Sequence, residues 1–488
     1  MKNEISLFSA IAISIMSMIG SGWLFSAQLN AKLSGNYSFI AWLISAFIAM
    51  AVGLCFSKLC SIYPEHGLNA KCVSISHGKD FGMVFSFAIW FGLLAIIPTE
   101  AQATIQYLSP FFHSYVLYEN NGLTLPGQLF AIIILIIFFI VNYFGIKILA
   151  RINNVATVLR IFIPLLTIIT LLSAHFDKTN FSLSTNDYTI NSIPTALIGA
   201  GLVYAFNGFQ VISSFASEIK NPGKNIPKAM LISILSTLIL YLFLQFSFMG
   251  AVPHEIASEG WLAMNFTSPL VNLTLLLGLH FLTMLLITDS IFSPSITGLT
   301  YLGSCSRMLY AMAEKGQMPK WIAKICPTHH LSKRALSINF FMGVIILLNS
   351  TSWTSLMIIT TSLNILGYMG APISLAVLQP TKKTFTKFAT MAVFVFLSWL
   401  LSTLSLHNFL LSNTVITVIM IFYGILQYYH QGYFNIYSLT FVLFLWILLL
   451  ISRNIFALII LSSIVFWFIT EPKFINYLNH IIMPYRTK

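Results

Sequence analysis

Runs of about 20 consecutive apolar residues recur from Ile5 to Phe468, each long enough to cross a ~30 Å hydrocarbon core at ~1.5 Å per helical residue. Lipid offers no partners to backbone N–H and C=O groups, so only helices and closed barrels can span it. Barrels show alternating segments of about ten residues. This chain instead carries runs such as Phe130 to Phe139, apolar at every position. An all-α polytopic membrane protein is predicted. Composition agrees: of 488 residues 57% are hydrophobic and 8% charged, against roughly a quarter charged in soluble domains. The net charge of +12 is spread over short loops, which argues against nucleic acid as a partner and for the lipid bilayer. The first apolar run continues well past signal-peptide length without a small-residue cleavage site, so it reads as the first span.

The apolar stretches fall near residues 5–33, 38–60, 81–107, 127–146, 152–173, 192–218, 229–250, 270–306, 336–350, 354–378, 388–406, 412–429, 435–451 and 454–470. About 14 spans are expected. The eighth stretch is long for one ordinary crossing, and the ninth and tenth are divided only at Asn349 to Ser352. Placing the N-terminus in the cytoplasm puts 21 of the 25 Lys and Arg residues on that side and only Lys32, Lys178 and Arg453 opposite. The positive-inside rule then makes both termini cytoplasmic, in a cell (inner) membrane. The loops at 108–126 and 251–268, which lack Lys and Arg, face outward. No polar stretch is long enough for a separate catalytic domain, so function must lie among the helices.

The five cysteines show no metal-type pairing, with Cys72 and Cys326 expected in loops, and neither a zinc site nor any cofactor is implied. His280 stands alone in an apolar stretch and reads as a hydrogen-bonded structural residue. The tryptophans, among them Trp23, Trp42, Trp90, Trp261, Trp353 and Trp467, suit interfacial belts and packing.

Two spans are interrupted by glycine. The first holds Gly20-Ser21-Gly22, and the sixth holds Gly199-Ala200-Gly201 followed by Tyr204 to Gln210, with Asn207, Gly208 and Gln210 in mid-helix. Spans one and six occupy corresponding places in two five-helix units. Paired interruptions of this kind mark transporters built from inverted repeats, with cargo held where broken helices expose backbone groups. A helix half starting at Gly22 would direct free N–H groups and its positive dipole end at a carboxylate. Close packing of helices through small residues would account for one such motif but less well for two in matching spans.

Gly20-Ser-Gly-Trp-Leu-Phe25, Tyr204-Ala-Phe-Asn-Gly-Phe209, Glu218-Ile-Lys-Asn-Pro-Gly-Lys-Asn-Ile-Pro227 and Ser306-Arg-Met-Leu-Tyr-Ala-Met-Ala313 with Gly316-Gln-Met-Pro319 together resemble the amino acid, polyamine and organocation transporter superfamily. Pro98-Thr-Glu-Ala-Gln102 and Asp289-Ser-Ile-Phe-Ser-Pro-Ser295 are similar to its bacterial aspartate:proton symporter branch. The resemblance covers roughly residues 5–380. It implies a five-plus-five inverted-repeat core with discontinuous first and sixth helices, spanning residues 1–380 (repeats near 5–173 and 192–378), and accessory helices in 381–488. It also implies that the Ser21 and Gly22 N–H groups hold a substrate carboxylate beside Gly20. Carbonyls of Ile19 and of Ala205 or Phe206 would receive the ammonium, Tyr204 would cover the substrate, and Asn207 and Gln210 would face the cavity. Many relatives carry an acid at the position of Gln210, so its absence argues against a cationic cargo.

Within the spans the chief charged residues are Glu100, Arg160 and Asp289. Each costs about 2.5–3.5 kcal/mol on insertion scales and so needs a cavity, a partner or a proton. Arg160 matches the position where proton-coupled relatives place a lysine in lieu of sodium. Guanidinium keeps its charge where an amine can lose it, so Arg160 supplies fixed charge, any proton must use another group, and Asp289 or Glu100 could carry it. Ser293 and Ser295, flanking Pro294, are expected neighbours of Arg160. A structural ion pair of Arg160 with Asp289, and a wetted vestibule position for Glu100, stand as the alternative readings. The function expected is secondary transport of an amino acid such as aspartate or glutamate, proton-coupled, by alternating access. A proton-independent exchanger and a binding-only nutrient receptor are the alternatives, and an enzyme is not expected.

Overall fold

The structure, a computed structural model, describes residues 5–64, 67–112, 115–144, 146–182, 188–216, 218–326, 332–350, 352–379, 384–432 and 434–475. Within the described residues each of the fourteen apolar stretches falls mainly on helix. Among the described residues the only strands are Tyr118–Glu119 and Gly122–Leu123, a hairpin closed by Asn120 and Asn121 at positive φ, a backbone conformation that asparagine tolerates better than most residues. Among the described residues eight helices are long and apolar enough to cross a membrane alone, nine with the sixth span counted as one bent pair. The last two stretches form helices Thr440–Ile451 and Ile455–Ile469, which reach only ~18–23 Å at ~1.5 Å per residue.

The long eighth stretch divides into Pro269–Leu276 and His280–Glu314. His280 therefore stands exposed at a helix start rather than within an apolar span. The link after the second span contains a helix, Leu68–His77, which places Cys72 in a helix and not in a loop.

Lys79–Leu108, the third span, is buried almost throughout and forms the central post of the bundle. Leu125–Phe144, the fourth, lies outside it and presents Leu129, Ile133, Ile136, Ile137 and Ile140 outward. That spacing gives a lipid-facing stripe on one side of a helix.

Contacts among the first ten spans repeat when each span number is shifted by five. The first packs on the seventh as the sixth packs on the second. Likewise the third packs on the ninth and tenth, and the eighth on the fourth and fifth. Second with seventh, third with eighth and fourth with ninth also touch. A shift-by-five pattern of this kind is what two equivalent five-helix units would give.

Candidate substrate-binding site

The first span is two helices, Leu7–Met18 and Gly22–Ser34. Ile19 leaves helical geometry at φ −84°, ψ 83°, and the Gly20 N–H turns back to the Met18 carbonyl at 3.1 Å. The next N–H, that of Ser21, is therefore free of the helical ladder. It donates to Glu100 Oε2 at 2.9 Å, and the Ser21 hydroxyl donates to Oε1 at 3.0 Å. From the sixth span the Tyr204 hydroxyl donates to the same Oε1 at 2.8 Å, and Trp353 Nε1 donates to Ser21 Oγ at 3.0 Å. A β-carbon on Gly20 would lie 3.0 Å from Glu100 Oε1, so the bare backbone there is what admits the carboxylate.

The sixth span breaks at Gly201, φ +72°, between Ser192–Gly199 and Leu202–Ala205, with a bend of 46° between its halves. It breaks again at Gly208, φ +121°, where a β-carbon would stand 2.3 Å from the Ser17 carbonyl oxygen. Backbone meets backbone at that point. The approach brings carbonyls from both breaks together: the Tyr241 hydroxyl, from the seventh span, lies 3.2 Å from Met18 O and 3.1 Å from Ala205 O. Gly22 completes the fit, since a β-carbon there would lie 3.2 Å from Ala205 Cα.

On one side of this centre Phe25 stacks on Trp353 at 4.4 Å and meets Tyr107 edge-on at 5.0 Å. On the other, Tyr368 donates to Asn207 Oδ1 at 2.8 Å, while Gln210 Oε1 accepts from the Gly208 N–H at 3.0 Å. Asn207 Nδ2 and Gln210 Nε2 are buried without a hydrogen-bond partner among the described residues. Such groups are costly unless something polar meets them. Phe206 packs edge-on against Trp42 and Tyr241 instead of facing open space.

Arg160, buried in the fifth span, donates to Met16 O at 2.8 Å, to the Ser293 carbonyl, and to Thr297 Oγ1 at 2.7 Å. Its guanidinium thus bridges the first and eighth spans just below the break. Ser293 contributes its carbonyl there, and its hydroxyl lies 3.5 Å from Ile19 O. Ser295 does not join it: two residues on, it points away, and the neighbour one helical turn from Ser293 is Thr297. No ion pair within 4 Å joins Arg160 to Asp289 among the described residues, although the two charges interact electrostatically. Asp289 is buried, with Oδ2 unpartnered.

One further expectation changes. Glu100 is 1% exposed and locked onto the helix break, not a wetted vestibule residue. Of the six named tryptophans, Trp23, Trp42, Trp90, Trp261 and Trp353 are buried in packing and only Trp467 is substantially exposed. Sequence reasoning missed Trp353, Tyr241 and Thr297 as site residues. Thr297 had a legible signal, its i+4 spacing from Ser293. Trp353 and Tyr241 had none, because their roles come from distant helices meeting.

A polytopic helical bundle with two facing broken helices and polar groups gathered at the breaks has the architecture of a membrane carrier. A family model described as amino acid permease matches residues 5–426, and the chain belongs to that family, one of transporters and not enzymes. It is similar to the glutamate/serine transporter AimA of Bacillus subtilis, 34% identical over 392 residues, covering 78% of this chain and 72% of that protein. It is also similar to the aspartate-proton symporter of Bacillus subtilis, 30% identical over 385 residues with 78% and 74% covered. The human large neutral amino acids transporter small subunit 2 is 24% identical over 339 residues, with 67% and 60% covered.

Proposed function

We propose that the protein is a secondary active transporter that takes up a small or acidic amino acid, of the serine, glutamate or aspartate kind, together with protons. The observation that carries this reading is a carboxylate seated on the freed Ser21 N–H between the two helix breaks. A substrate α-carboxylate presents the same group to the same donors at the start of Gly22–Ser34, where the helix dipole favours negative charge. Its ammonium then faces the carbonyls of Ile19, Met18, Ala205 and Phe206, with Tyr204 and Trp353 above and Asn207 and Gln210 below.

Residues 1–380 form the carrier in this reading, as two repeats near 5–173 and 192–378, while 381–488 are accessory. Spans 1, 2, 6 and 7 rock against the rest and exchange access between the two faces. Both termini lie in the cytoplasm of a bacterial-type inner membrane, by the distribution of Lys and Arg. Arg160 replaces a dissociable cation between the first and eighth spans, so sodium is not required. Proton movement then falls to the buried carboxyl groups, Glu100 and Asp289.

One observation favours a second reading. Arg160 is a cation that cannot leave, and a carrier whose only charge carrier is fixed can run as an amino-acid exchanger. Uptake of labelled L-serine, L-glutamate and L-aspartate into proteoliposomes decides between the two. Concentrative uptake into empty vesicles under an imposed pH gradient supports symport, and uptake only into preloaded vesicles supports exchange. No uptake or exchange of any amino acid refutes both. Gly22→Leu should abolish transport while the protein still inserts, because its side chain would fill the space held by Ala205 and Tyr204.

A further inference from the structure

This inference deepens the reading of the helix breaks as the amino-acid site and rests on it. The donors assigned to the substrate carboxylate are already engaged from within the chain. Glu100 accepts from the Ser21 N–H, the Ser21 hydroxyl and the Tyr204 hydroxyl, at 2.9, 3.0 and 2.8 Å. A carboxylate accepts about four hydrogen bonds in all, so these three leave little unfilled. Gly20 and Gly22 bring the third span and the sixth within contact of the break, and both carboxylates cannot occupy the same N–H.

We propose that Glu100 is an internal ligand of the carboxylate seat, surrendered to the amino acid when Glu100 takes up a proton, so that one proton is bound with each substrate molecule. The proton passes from the adjoining aqueous phase to a carboxylate oxygen of Glu100. The neutral acid gives up the Ser21 N–H, and the incoming carboxylate takes it. When the substrate departs on the other side, Glu100 releases the proton there and returns to the seat. Apart from that O–H bond no covalent bond forms or breaks.

The surroundings support exchange over sharing. The charged and titratable groups that interact with Glu100 come from the fifth, sixth, seventh and eighth spans: Arg160, Tyr204, Tyr241 and Tyr301. Asp289 reaches it through their common partner Arg160. The tenth span contributes Trp353, which does not titrate. Two carboxyl groups thus face one permanent cation. A substrate carboxylate within hydrogen-bond distance of an ionised Glu100 would add repulsion in a low-dielectric interior. Protonation removes it.

The test is calorimetric binding of L-serine, whose side chain carries no charge, to the purified full chain from about pH 5 to about pH 8. Repeating it in buffers of different ionisation heat counts the protons taken up. Expected for the natural chain is an apparent Kd rising by up to about tenfold per pH unit on the alkaline side, with uptake approaching one proton per serine there. Glu100→Gln should bind serine with no pH slope and no proton uptake, and more tightly than the natural chain at about pH 8. Glu100→Asp keeps a titrating group on a shorter arm and should retain proton uptake, which guards against misfolding of the amide variant. Serine binding with a flat pH profile and no proton uptake in the natural chain overturns the inference and leaves the transporter reading intact. So does proton uptake unchanged in Glu100→Gln. If serine, glutamate and aspartate all fail to bind at every pH, the site reading itself is wrong and the inference falls with it.

Discussion

Gly208→Ala should disable transport without preventing insertion. Its φ of +121° lies where an L-residue is strained, at a cost of order 1–3 kcal/mol. The added methyl would also stand 2.3 Å from the oxygen and 2.4 Å from the carbon of the Ser17 carbonyl. Both are backbone atoms of the first span, so no side chain can swing aside. Restoring an ordinary contact requires the first and sixth spans to part by ~1 Å, which a close-packed interior resists. The two carbonyls held by Tyr241, Met18 O and Ala205 O, would separate with them. A total of about 3 kcal/mol against the closed arrangement corresponds to a loss of ~100-fold in its population. The assay is the initial rate of labelled amino-acid uptake per inserted molecule in proteoliposomes. Gly432→Ala is the control: its φ is also positive, +73°, but a β-carbon there meets nothing within 4 Å. That variant should cost only ~1 kcal/mol of backbone strain and leave transport alone. A Gly208→Ala protein transporting within a few-fold of the natural rate would refute the argument that the helix breaks must touch.

Trp353→Phe keeps a ring over Phe25 but removes the indole N–H from Ser21 Oγ; the loss of about 1 kcal/mol should raise the apparent KM for substrate ~5-fold, and an unchanged KM would remove Trp353 from the site. Arg160→Ala removes the charged donor from Met16 O, the Ser293 carbonyl and Thr297 Oγ1, lowering stability by about 1.5–3 kcal/mol. Added guanidinium should raise the Tm of this variant and not of the natural chain, and an equal effect on both would deny that the arginine fills a cation seat. Asp177, in the link after the fifth span, is held below the usual carboxylate range first by the Thr179 hydroxyl and then by the Thr179 N–H. A carboxyl group depressed in the folded chain adds order above its unfolded pKa and loses it as pH falls. Amide exchange in residues 176–182 should therefore accelerate from about pH 4 downward, and an Asp177→Asn protein should show no such step.

The helical class and the fourteen stretches were legible because each span is locally determined: length and apolarity decide it, with no reference to other spans. The two interruptions were legible for a related reason, since glycine in mid-span leaves backbone groups that lipid cannot satisfy. Those interruptions pointed to Ser21, while Tyr204 and the Arg160–Ser293 neighbourhood came from the family resemblance and the cost of a charge within a span. Ser295 was misplaced by proximity to Pro294, where the helical repeat, counted strictly, would have selected Thr297. Glu100 was misjudged because distance from a helix end says nothing of what packs on that helix. Which tryptophans pack and which stay exposed was open in the sequence for the same reason, burial being decided by neighbours.

By itself the sequence determined which stretches turn to helix, where the first and sixth spans must break, and which polar residues lie near those breaks, since each of these follows from backbone bonding within one segment. Tertiary structure alone decided that Glu100 of the third span, Tyr204 of the sixth and Trp353 of the tenth converge on Ser21 of the first. Those residues are up to 332 positions apart, and hydrogen bonds of about 3 Å between them are set by how ten helices pack, which no single helix encodes.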